Sequence, residues 1–544
     1  MNPKSASASR IDRLAAMSPA PQPVLDGINR SRRLRGTGKK QLRQHEVDKA
    51  VTDLVREDLL SCGELYHDDV DAYVFLREQG LLLTLDIEST DLRMLMFRRY
   101  DFGPTEADLK SIIGRLHMQT LLTGHRTTVH LLSHYDRRKS TLYLSNLGGS
   151  IYRISPGQVE LVPNGTDGVL FATRPQWEPF ELLDDMPDDD HSPIHELLLG
   201  PIRFAEGPLA PDQQRLTLML WLYSMFFPEL HFTRPILALI GDRGSGKTSA
   251  LRRIGQTIFG RDFNVTPMPD DPKDFDAAVT NEQFVAIDNA DSRRPWQEDR
   301  LAVACTGGKI SRRKLYTTNE MVEYPVSAWL ALTSRTPTFK REDVADRLVP
   351  LHLDRHQTFT PESEILSEIR ARRNELMTEL VWHLYAIVAA LHAQRTHRCR
   401  TSLRLADFGD FGLRVARAQG WSNKMKSILG VIGGKQLDFA TDDDPLIEVI
   451  GLWLRDDPER NVDREMAPED LLRELRKTAE ACEIACGALD STRSLAQSIR
   501  GRRSSLENLY GLSERTLGGR RRLRSFKWCE PVVADRFSAE FVEE

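Results

Sequence analysis

Pro235-Ile-Leu-Ala-Leu-Ile-Gly-Asp-Arg-Gly-Ser-Gly-Lys-Thr248 is the stretch that decides the fold. The apolar run before Gly241 reads as a short buried strand. The turn after it fits G-x-x-x-x-G-K-[ST] at Gly241, Gly246, Lys247 and Thr248. Glycines at 241, 244 and 246 let the backbone close tightly with its N–H groups turned inward, which makes a nest for phosphate oxygens at the positive end of a helix starting near Lys247. Ser249-Ala-Leu-Arg-Arg-Ile-Gly-Gln-Thr-Ile-Phe259 has the spacing of that helix. In this reading Lys247 reaches the β- and γ-phosphates and the Thr248 hydroxyl is a ligand for Mg²⁺. The candidate ATP contacts are Gly241, Asp242, Arg243, Gly244, Ser245, Gly246, Lys247, Thr248 and Ser249. A chance glycine-rich turn is the competing reading; the strand before the turn and the helix after it weigh against that.

Further along, Phe284-Val-Ala-Ile-Asp288 is an apolar run ending in a carboxylate, as a second parallel strand needs in order to bring Asp288 to the Mg²⁺ shell. Asn289 follows it. Asp291 is the candidate catalytic base, with a helix cap as its alternative. Ala328-Trp-Leu-Ala-Leu332 reads as a third buried strand tipped by Thr333 and Ser334, hydroxyls placed to sense a γ-phosphate. Arg347, before the apolar 348–353, suits action on a neighbouring copy's ATP; the alternative is an ion pair with Asp343 or Asp346. Between the second and third strands, Lys309, Arg312, Arg313 and Lys314 alternate with Ile310, Leu315 and Tyr316. They suit a hairpin that touches a nucleic-acid backbone and bases, or else a solvated surface hairpin.

That order of elements (glycine-rich turn, Asp-Asn strand, basic hairpin, hydroxyl-tipped strand, Ala345-Asp-Arg-Leu348) resembles the superfamily 3 helicases of the AAA+ class. The large T antigens and the primase-helicases of phages and plasmids belong there. The resemblance covers about 200–355 and implies a P-loop NTPase fold, with Arg347 as an arginine finger acting in trans. It further implies Ser334 or Thr333 in the sensor position and Arg313-Lys314 on a DNA-contacting hairpin. The chain departs from the pattern at Asn289, where ring ATPases often carry Glu, and at Ser334, where the sensor is usually Asn. Both departures bear on hydrolysis rather than on nucleotide binding.

A length of 544 residues allows several domains, and 40% hydrophobic with 28% charged residues describes an ordinary soluble protein. The net charge of −5 excludes a uniformly basic nucleic-acid coat. The longest apolar run, 216–227, is short for a bilayer, so no membrane association is expected. Six scattered cysteines fit a reducing cytoplasm. The expected organisation is multidomain: a flexible basic arm over 1–45, an α+β domain over 46–180 and an acidic linker over 181–200. An α/β P-loop ATPase follows over 201–357, then a helical lid over 358–435 and a winged-helix-like region over 436–544. Within the α+β domain a hairpin is expected from 72–76 and 81–87, a helix over 105–123 and a strand over 128–134. Its histidines, His117, His125, His130 and His134, show no metal-ligand spacing and read as structural. Helices are expected over 211–227, 362–392, 403–419, 445–454, 468–482 and 494–509. A strand over 520–528, rich in Arg, would complete a basic wing or a basic solvated face.

These readings converge on an ATP-driven motor on single-stranded or forked DNA, a replicative helicase of a phage or mobile element. It would work as a homo-oligomeric ring, a hexamer. The competing class is an ATP-gated switch or scaffold without unwinding activity, as in phage defence, motivated by Asn289. A small-molecule kinase is disfavoured, since no Arg-rich lid over a substrate pocket is evident.

Overall fold

The computed structural model describes residues 10–35, 42–103, 107–184, 191–291, 294–313, 321–335, 341–401, 403–441, 444–517, 523–528 and 539–543. At its centre is a five-stranded sheet in the order Thr266–Pro267, Phe284–Asp288, Trp329–Ser334, Ile236–Ile240, Leu348–His352. Every pairing in it is parallel. Parallel strands are buried on both faces, so their sequences are nearly continuous apolar runs. The two-residue pleat then divides each run between two cores. Leu237 and Leu239, Phe284 and Ala286, Trp329 and Ala331 face one core. Ile236, Ala238 and Ile240, Val285 and Ile287, Leu330 and Leu332 face the other.

The first core is closed by the helix Lys247–Phe259, through Leu251, Ile254 and Ile258, and by the helix Pro211–Ser224. Trp221 from the latter donates its indole N–H to the Pro235 carbonyl at 2.9 Å, fixing the approach to the central strand. Four helices complete this side: Glu362–Ala371, Arg373–Ala393, Ala406–Ala418 and Ser422–Thr441. Arg373 is buried, and its guanidinium donates to the carbonyls of Thr257, Ile258, Glu178 and Pro179 at 2.8–2.9 Å. It thereby satisfies the last carbonyls of the helix Lys247–Phe259, which lack partners within that helix. The expected single helix over 362–392 is therefore two, divided at Arg372, which bonds Glu375 and Glu196.

Residues 10–35 correct the expected flexible arm. They form the helices Arg10–Ala15 and Gln22–Arg33, and Leu14, Met17 and Ile28 are buried in a core shared with the helices Gln44–Cys62, Thr90–Tyr100 and Ala107–Thr123. The apolar residues of the arm are few but fall on one face, and that suffices to dock it. The sheet of this region runs Leu81–Thr84, Ala72–Leu76, Gly63–His67, His125–Arg126, with the expected hairpin in place. Residues 104–106, at the start of the expected helix over 105–123, lie outside the described residues. The antiparallel meander Ser133–Asp136, Thr141–Ser145, Ser150–Ser155, Gln158–Pro163 shares the first core with the central sheet. The expected strand over 128–134 is broken into Val129–His130 and Ser133–Asp136. The expected linker is corrected too: Ile194, Leu197, Leu198 and Leu199 are buried in the first core, while 185–190 lie outside the described residues.

Beyond the sheet, Pro445–Asp456, Pro468–Ala481, Thr492–Gly501 and Arg503–Tyr510 form a separate core with the hairpin Ser513–Leu517/Leu523–Lys527. The expected helix over 494–509 is divided at Arg502, and a bridge from Met466 to Phe526 adds a third edge to the hairpin. The strand Ala539–Glu543 runs back to pair with His397–Thr401. Among the described residues one helix, Arg373–Ala393, is long and apolar enough to cross a membrane; Leu376, Leu380, Leu384 and Val388 on it are buried in the first core.

Candidate functional site

The strand Ile236–Ile240 ends at Gly241, where a Cβ would stand 2.2 Å from the Leu353 carbonyl oxygen, so no side chain fits. Gly246, at φ +78°, turns left-handed to start the helix Lys247–Phe259, a conformation that costs other residues about 1 kcal/mol. Among the described residues no side chain caps this helix, and no acidic residue occupies its first turn, so its positive end faces the turn. The Lys247 ammonium folds over the turn and donates to the carbonyls of Gly241 at 2.7 Å and Asp242 at 2.9 Å, and to Ser245 Oγ at 3.2 Å. Burial lowers its pKa, opposed by the charges of Asp288, Asp291 and Asp242.

The neighbouring strand ends carry the polar groups. Asp288 Oδ1 accepts from Thr248 Oγ1 at 2.7 Å and from Thr333 Oγ1 at 2.6 Å. Thr333 in turn accepts the Asn289 N–H at 2.9 Å. Asn289 sits at φ +55°, in the left-handed region, which Asn tolerates better than most residues. Asp291 accepts from the Ser334 hydroxyl and from the Arg335 N–H at 3.1 Å. It thus ties one strand end to the next, whereas the helix cap that competed for it falls to Trp296.

These groups border a cavity of about 790 Å³. Of the expected contacts, Arg243 through Ser249 line it, as do Asp288, Asp291 and Ser334. Gly241 and Asp242 sit behind it, with their carbonyls turned to Lys247. The lining carries Arg203, Arg243, Lys247, Arg253 and Arg335 against the carboxylates Asp288 and Asp291, a balance suited to a polyanion.

Among the lining residues that were not expected are Arg203, Arg253, His356 and Phe359. Arg253 is 3% exposed, and its Nη1 has no hydrogen-bond partner among the described residues. Burial pushes its pKa down to about 10. A buried arginine with donors to spare beside such a cavity is matched to an anionic ligand. His356 lies over Gly246 and Phe359 over Gly244, the latter 65% exposed. An isolated aromatic in the polar run Arg355-His-Gln-Thr-Phe-Thr360 was the available signal.

Arg347 lies elsewhere. Its carbonyl accepts the Ile236 N–H at 2.8 Å, at the end of the sheet opposite the glycine-rich turn. The intervening strand spans about 13 Å. The guanidinium is 17% exposed and 4.0 Å from Asp343, the outer limit of an ion pair, while Asp346 pairs with Arg404 at 3.0 Å. The basic hairpin is present as Lys309–Arg313 paired antiparallel with Met321–Pro325, with Arg312 opposite Val322 and Arg313 opposite Met321. Lys314 and the hairpin tip lie outside the described residues.

Residues 198–428 match the sequence model of the family described as actinomycete integrative conjugative element replication protein. Comparison with curated proteins gives no match. Among solved structures, the A form of the apo NrS-1 C-terminal region is similar at 12% identity and a TM-score of 0.41, over 87% of this chain and 98% of that one. The SCCmec type IV Cch active helicase is similar at 8% identity and a TM-score of 0.38, over 86% and 92%.

Proposed function

We propose that this chain is an ATP-driven motor on DNA that serves the replication of a mobile element. The observation that carries the proposal is the convergence of a helix N-terminus, Lys247, Thr248 and Asp288 at the C-terminal edge of a parallel sheet, beside a cavity with excess positive charge. The family match over 198–428 supports the replication setting. Hard oxygen donors, the Thr248 hydroxyl and the Asp288 carboxylate, suit Mg²⁺, and the open donors of Arg253 suit a triphosphate. Bound Mg²⁺·ATP supplies the phosphoanhydride bond and neutralises charge as that bond breaks.

In this reading the chain's own residues divide the work. Lys247, with the backbone N–H groups of 244–248, holds the triphosphate. Asp288, set by the Thr248 and Thr333 hydroxyls, would hold Mg²⁺ together with the Thr248 hydroxyl. Asp291 orients the attacking water, with Ser334 as the γ-phosphate sensor. Phe359 offers a face to the base. Arg347 lies too far from its own turn to act there, which supports a role on a neighbouring copy and hence a ring.

The test is strand separation of a forked duplex by the purified chain. ATP-dependent unwinding that the Lys247→Ala variant lacks supports the motor. A second reading, an ATP-gated switch, is favoured by Asn289 in the place of an acid; ATP binding with no strand separation under any condition would select it.

A further inference from the structure

His130 and His134 are four residues apart, a spacing of about 13 Å along a continuous strand. The chain bends at Leu131-Leu132 instead, and the two imidazoles stand with their centroids 4.2 Å apart. Glu229 reaches them from the turn Pro228–Leu230, which precedes the central strand Ile236–Ile240. Its Oε1 is 2.7 Å from His134 Nδ1, and its Oε2 accepts the Tyr135 N–H at 3.0 Å. One donor atom from each of the three residues lies within 4.8 Å of the others. The His130 ring lies against the rings of His134 and of Phe171, the latter at 5.7 Å. Tyr143 stacks on His134 at 6.1 Å.

We propose that His130, His134 and Glu229 form a zinc site. Two imidazoles and a carboxylate are a donor set that zinc takes with a fourth position left for water. Tetrahedral bonds of about 2.0–2.1 Å place neighbouring donors about 3.3 Å apart; the His134–Glu229 pair stands at 2.7 Å and every pair lies within 4.8 Å, so small side-chain movements close the site. The Tyr135 N–H holds the carboxylate in orientation and the Phe171 and Tyr143 rings screen the histidines, which is the surrounding shell a metal site needs. A simple histidine–carboxylate pair explains His134 and Glu229 but gives no reason for the bend that lays His130 against them. The ion would join the meander region, through the histidines, to the segment entering the central sheet, through Glu229. The site is independent of the ATP reading.

The experiment uses the full chain, purified without a histidine tag. Elemental analysis should find about one zinc per chain, and exchange for Co²⁺ should give the visible absorption of a tetrahedral nitrogen–oxygen site. His134→Ala and Glu229→Gln should each lower metal retention by about 10-fold or more. Lys247→Ala should retain the metal in full. If the histidine variant does not fold, the wild-type Co²⁺ titration decides alone. A wild-type chain that neither holds zinc nor shows saturable Co²⁺ absorption overturns the proposal, as does unchanged retention in folded Glu229→Gln.

Discussion

Thr333 and Asp288 lie at the ends of adjacent parallel strands and share a hydrogen bond of 2.6 Å, while Thr333 also accepts the Asn289 N–H. One hydroxyl, 1% exposed, therefore fixes both the carboxylate and the loop that follows it. Thr333→Val keeps the shape, leaves the Asn289 N–H unmet and takes from Asp288 one of its two hydroxyl donors, at a cost of about 1–3 kcal/mol. Urea unfolding should show that loss, and Thr333→Ser should recover most of it. Equal stability of the Val variant would mean that the hydroxyl does not organise this corner.

Lys247 is expected to carry most of the attraction for the triphosphate. Lys247→Ala removes a part-buried charge, worth about 2–5 kcal/mol, and calorimetry should register ATP affinity lower by about 100-fold. Undiminished affinity would rule out the assignment of the turn.

Arg347→Ala should leave ATP affinity nearly unchanged and reduce turnover by about 10³-fold, the scale of a lost arginine finger. Mixing this variant with the Lys247→Ala variant should restore part of the turnover, since each copy then supplies what the other lacks. A small effect on turnover, with a drop in melting temperature, would assign Arg347 to its contact with Asp343.

Phe359, exposed over Gly244, should lend a stacking face worth about 1–3 kcal/mol to a base. Phe359→Ala should weaken ATP by roughly 10-fold and inorganic triphosphate not at all. Equal weakening of both ligands would place its role at the phosphates.

His383 gives a pH dependence with a definite sign. It is half-buried against Tyr223, and that burial lowers its pKa below the ordinary value of 6.5, opposed by the charge of Glu379. As pH falls below 6.5 the unfolded chain takes up this proton before the folded chain does, so the contribution to stability is present above that pH and is lost through the acid range. Unfolding free energies at pH 5 and 7.5 should differ less in His383→Gln than in the wild type. An identical difference would locate the acid sensitivity elsewhere.

The central sheet was legible because burial on two faces leaves its mark in Ile236–Ile240 and Phe284–Asp288 as continuous apolar runs, and because the turn between strand and helix admits few residues besides glycine. Arg253 and Phe359 were not legible: a basic residue on a helix and a phenylalanine in a polar run acquire meaning only when tertiary contacts set them beside the same cavity. The docking of 10–35 was hidden for a related reason, since composition averages over the single face on which Leu14, Met17 and Ile28 fall. The approach of Glu229 to His134 joins residues 95 apart in sequence, beyond any local spacing rule.

The left-handed turn at Asn289 narrows what inheritance can try at that position. Glutamate there must adopt a backbone shape that L-residues with longer side chains resist by about 1–2 kcal/mol. A lineage seeking faster chemistry would therefore have to reshape the loop before exchanging the letter, and until then the acid two residues on is the cheaper material to work with.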